Sequence, residues 1–65
     1  MNTLFTVDDP FADCLYVKPT LAAAQVVADV IGAGVIVEVD QDDLYKVICR
    51  YFRQGVEWVA NGCQV

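Results

Sequence analysis

The chain contains no histidine and no serine, and only four of its 65 residues are basic. Without either residue type, Ser–His and Cys–His nucleophilic arrangements cannot be assembled within one chain. The basic residues stand beside no glycine-rich phosphate loop. Gly32-Ala33-Gly34 lacks the further glycine of such a loop and follows a helical pattern instead of opening one. The expectation is a protein that is not an enzyme and uses no cofactor.

Cysteine is also sparse. Cys14, Cys49 and Cys63 form no C-x-x-C pair and have no histidine to complete a zinc site. The odd count favours free thiols in a reducing cytoplasm, with a Cys14–Cys63 bridge as the alternative. A basic leader is lacking too, since Asp8, Asp9 and Asp13 follow soon after Met1. The apolar run Leu21 to Val39 is interrupted by Asp29, Glu38, Gly32 and Gly34. A carboxylate at mid-bilayer costs about 2.5–3.5 kcal/mol, so no membrane span is expected.

What is present is apolar and acidic. Hydrophobic residues make up 57 % of the chain, which argues for a folded core. A net charge of −5 and a pI near 4.1 disfavour direct binding to nucleic acid or anionic lipid. A partner with a basic surface is the natural complement, although the charge could equally serve solubility.

The pattern reads as one domain over residues 1–65, with a core in 14–60 and a frayed tail in 61–65. Leu4–Val7 and Asp13–Lys18 lean toward strand, separated by Asp8-Asp9-Pro10. Thr20 is an N-cap for a helix beginning at Leu21 and ending at Gly32 or Gly34. Val35–Val39, Leu44–Phe52 and Val56–Ala60 follow as strands. A three-residue loop at 41–43 would set Val39 opposite Tyr45, Glu38 opposite Lys46, Val37 opposite Val47 and Val35 opposite Cys49. In that register Val35, Val37, Val39, Tyr45, Tyr51 and Trp58 face the core, with Val56 and Ala60 beside them. Ile36, Glu38, Lys46, Ile48, Arg50, Glu57 and Val59 point outward, Glu57 opposite Arg50. The expected fold class is α+β: one α-helix packed on an antiparallel sheet of three to five strands.

The helix is apolar around most of its circumference, with only Ala22, Gln25 and Asp29 as a polar strip. A single sheet covers a stripe of somewhat over 100°. The excess calls for a cover, and the N-terminal residues Leu4 to Phe11 are the expected one. A monomer is therefore expected over a homodimer.

Two acidic groups stand out, Asp40/Asp42/Asp43 and Asp8/Asp9/Asp13. The first is no calcium loop. In an EF-hand starting at Asp40, Leu44, Tyr45 and Tyr51 would occupy positions that need an oxygen ligand, a glycine and a glutamate. The remaining readings are a solvated hairpin tip and an acidic knob that mimics a nucleic-acid backbone for a basic channel. With Phe52 as an exposed anchor, these six carboxylates are the candidate partner-binding residues.

Thr20-Leu21-Ala22-Ala23-Ala24, Gly34-Val35-Ile36-Val37-Glu38-Val39 and Trp58-Val59-Ala60-Asn61 together give a pattern that resembles small phage-encoded anti-CRISPR proteins. The resemblance spans about residues 20–61 and leans toward inhibitors of type I systems, type I-C among them. It implies binding to the surveillance complex in the bacterial cytoplasm and obstruction of target DNA. It transfers no functional residue. The alternative is a phage or bacterial assembly protein that self-associates through its apolar helix face.

Overall fold

The computed structural model describes residues 2–63. Five strands and one helix follow each other as β1 (Thr3–Asp8), β2 (Leu15–Lys18), α1 (Leu21–Ile31), β3 (Val35–Asp40), β4 (Lys46–Gln54) and β5 (Glu57–Asn61). All neighbouring strands are antiparallel, in the order β2-β1-β3-β4-β5. The helix lies across one face of this sheet, so the α+β architecture expected from the sequence is the one observed. Among the described residues no helix is long and apolar enough to cross a membrane.

Local chemistry sets the helix ends. The Thr20 hydroxyl accepts from the Ala23 N–H at 3.2 Å, satisfying a donor that the first turn leaves unpaired. Gly32 closes the other end at φ 76°, where its N–H reaches the Ala28 carbonyl. Ala24 and Ala28 are fully buried, and their small side chains let α1 settle close to the sheet. Below them lie Val7 and Ile36, both at 0 % exposure, with Phe5, Tyr16, Tyr51 and Trp58 packed around the cluster. Val7 belongs to β1, so the core begins before residue 14.

The β3–β4 hairpin departs from the expected register. The chain makes a 3-10 turn at Gln41–Asp43 and then passes through Leu44 and Tyr45, both at positive φ. Asp40 thus pairs with Lys46 and Val39 with Val47. A bulge between Glu38 and Val39 then shifts the register, so that Glu38 meets Cys49, Val37 meets Arg50 and Ile36 meets Tyr51. One extra residue on one strand inverts the parity of everything beyond it. The extra residue is Ile48 of β4, which puts Val47 and Cys49 on opposite faces, whereas β3 alternates without a break. The helix covers the Ile36 and Glu38 side of β3, and Val35, Val37 and Val39 lie on the opposite face, the reverse of the expectation. Tyr45 is no core residue either; at 61 % exposure it stands in the turn.

The β4–β5 connection is a two-residue turn, Gly55-Val56, with Gly55 at φ 64°. It pairs Arg53 with Trp58 and Gln54 with Glu57, leaving Arg50 opposite Asn61 instead of Glu57. Val56 sits at the turn and is exposed, whereas Trp58 packs on the core as expected. The expected tail is partly ordered. Asn61 ends β5, and Cys63 forms a disulfide with Cys49, whose side chain is buried. Cys14 alone is free, so the expectation of free thiols fails for the other two cysteines, and the Cys14–Cys63 alternative is not realised either. Residues 64 and 65 lie outside the described residues.

Candidate partner-binding surfaces

The two acidic groups sit at opposite ends of the same strand pair. Thr3 is paired with Asp40, so the 41–43 turn lies beside the start of β1, whereas Asp8 ends it. Five residue steps at about 3.4 Å separate these ends by about 17 Å. Sequence proximity could not show this, because only the β1–β3 pairing decides which ends are neighbours.

Each group is held by backbone bonds. The Asp40 carboxylate accepts from the Asp42 N–H at 2.9 Å, and Asp42 accepts from the Asn2 N–H at 3.1 Å. At the other end Asp9 accepts from the Phe11 N–H at 2.9 Å, and its own N–H donates to the Cys14 carbonyl. Asp13 is exposed in the same loop. Among the described residues a single ion pair forms, between Arg53 and Asp29, so eight of the nine carboxylates have no basic partner. Arg53 also lies 5.7 Å from the Trp58 ring, and thereby links β4, β5 and the outer side of the helix.

Glu38 is half-buried on the helix-covered face and accepts from the Tyr51 hydroxyl at 2.9 Å. Burial first, and then this bond to a carboxylate, push the Tyr51 phenol above its ordinary value of 10.0. Tyr16 is also raised, first by its hydrogen bond with Cys14.

Phe52 lies on the uncovered face of the sheet, as expected for an exposed anchor. It has company the sequence reading missed. Leu4, Leu15, Val17, Val35, Val37, Val39 and Val59 share that face, and Leu15, Val17, Val35 and Val59 are exposed. Two shallow concavities flank Thr6 there. One of about 430 Å³ is lined by Leu4, Leu15, Val17, Val39 and Tyr45, and one of about 310 Å³ by Asp8, Pro10, Ala33, Gly34, Val35 and Val37. The signal that could have found this face was the alternation of β2, where Leu15 and Val17 oppose Tyr16 and Lys18.

The expected N-terminal cover over the helix is not present. Residues 3–8 form a strand inside the sheet, and Phe11 is 86 % exposed, its ring edge passing near Gly32. Val26 and Val30 remain open on the outer side of α1. Compared with family models, with curated proteins and with solved structures, the chain matches none.

Proposed function

We propose that this chain is a non-catalytic inhibitor, an acidic protein that occupies a basic, nucleic-acid-handling surface of a bacterial CRISPR surveillance complex and blocks target DNA. The observation that supports it most is the set of unpaired carboxylates held by backbone bonds at the two ends of β1. Their separation of about 17 Å corresponds to about five phosphate steps of a strand at 3.4 Å each. A basic channel built for such a strand meets negative charge at both ends of the sheet. Complementary charge of this kind speeds encounter and disfavours partners of the wrong sign. The chain works in the cytoplasm of the bacterial host, where such complexes meet DNA.

The test is competition with target DNA on purified type I surveillance complexes, starting with type I-C. The triple variant Asp40→Asn, Asp42→Asn, Asp43→Asn keeps the oxygen atoms that accept from Asp42 and Asn2, so circular dichroism stays unchanged. Its affinity falls by about tenfold or more at low salt, which corresponds to about 1.4 kcal/mol. Wild-type affinity also falls steeply with added salt. Unaltered affinity of the triple variant at low salt would overturn the acidic mode of binding.

A further inference from the structure

We propose that the uncovered face of the sheet is an interface between two copies of this chain, related by a two-fold axis running along β3. A sheet with an apolar face needs a second layer over it, and here the helix supplies that layer on one side only. The N-terminal segment, the expected source of further cover, is itself part of the sheet. Valine, leucine and phenylalanine dominate this face, with Thr6, Asp8, Arg50 and Asn61 among them, and two such sheets packed face to face form a sandwich about 10 Å deep.

Size and symmetry single out a second copy as the occupant. The molecule extends 28 by 23 Å in its two longer dimensions. A face filling both dimensions presents at most about 600 Å² in projection, so full overlap of two copies buries about 1,200 Å², the lower bound of a standard specific interface. The strand order β2-β1-β3-β4-β5 is symmetric in number about β3. Rotation about β3 lays β1 over β4 and β2 over β5 of the other copy, and β3 over itself. The β3 residues on this face are Val35, Val37 and Val39, of which Val39 is already buried at 6 % exposure, so the axis falls on Val35 and Val37, with no charge to oppose its own image.

Register fixes the flanking pairs. Thr6, Val17, Val37, Arg50 and Asn61 stand at one level along the strands, and Val35, Phe52 and Val59 at the next. In the rotated copy Leu15 meets Val59, and Arg50 meets Thr6 with Asp8 one pleat further on, within reach of a guanidinium. The other in-plane two-fold, perpendicular to the strands, would set Arg50 against Arg50 and is disfavoured. Of the two acidic groups, Asp8 borders the interface and the other carboxylates stay outside it. Their copies gather at the same ends of the pair, so added salt strengthens this association by screening, opposite to its effect on a basic partner.

Sedimentation of the full chain across micromolar concentrations, at low and moderate salt, tests the proposal. The expected result is a species of twice the 7.2 kDa chain mass, more populated at higher salt. Val17→Lys and Val59→Lys, at two exposed edges of the face, weaken association about tenfold or more while circular dichroism stays native. Val30→Lys, on the outer side of the helix, leaves it unchanged. Asp8→Arg restores what Arg50→Asp loses when the two are combined. A single-chain species throughout overturns the proposal, as does dissociation by Val30→Lys and not by Val17→Lys. Failure of the charge-swapped pair to recover overturns the axis along β3.

Discussion

The two faces of one sheet are nearly matched in apolar content yet differ in everything that follows from packing. On the helix side Val7, Ile36 and Cys49 are buried and Glu38 and Tyr51 are hydrogen-bonded to each other. On the other side Leu15, Val17, Val35 and Val59 are exposed, and Arg50 has no acidic partner. A side chain's apolarity therefore does not tell which face holds the molecule together. The difference comes from where α1 lands, and α1 lands where alanines allow close approach.

The sharpest way to break this comparison is to put the same charge on adjacent β3 positions. Ile36→Asp buries an unpaired carboxylate beneath the helix and should cost at least about 4 kcal/mol, enough to unfold so small a domain. Val37→Asp, one residue on but on the uncovered face, should cost about 1–2 kcal/mol in a chain kept dilute enough to be single. Urea titrations of both variants decide it, and the reverse ranking would show the faces to be inverted.

A second test concerns the β4–β5 half of the sheet, which the helix covers less. The Cys49–Cys63 disulfide closes a loop across 14 residues, a constraint worth about 3 kcal/mol in the chain-entropy account. Reductant should lower the melting temperature, and Cys63→Ala should reproduce the fall without reductant. Equal melting of oxidised and reduced protein would show that the bond adds nothing to this half.

The smallest effect is a pH dependence confined to the helix side. The Tyr51 phenol is raised above 10.0 by burial and then by Glu38. Its contribution to stability is fully present below pH 10.0 and is lost as pH rises through the folded-state value. Melts above pH 10 should therefore decline more steeply for wild type than for Tyr51→Phe. Parallel curves would mean that ionisation of another group governs alkaline unfolding.

Much of the secondary structure was legible because its causes are local. Thr20 as a cap, a glycine stop at Gly32 or Gly34, and β2 and β5 as short strands all depend on residues within a few positions. The β3–β4 register was not, because the alternation of Val35, Val37 and Val39 gives no sign of a bulge. Placing Leu44 and Tyr45 at positive φ has no residue-type signature, since neither is the glycine or asparagine that favours that region. The candidate carboxylates were legible as residues. Their position at opposite ends of β1 was not.

By itself the sequence determined the fold class, the ends of the helix, the absence of serine and histidine and the sign of the charge, all of which follow from residue identity and short-range periodicity. Only the tertiary structure decided that the first strand lies inside the sheet, which of its two apolar faces the helix covers, and that Cys49 meets Cys63. Those outcomes depend on pairings between residues far apart in the chain. A single extra residue in β4, Ile48, puts Val47 and Cys49 on opposite faces without changing any local preference.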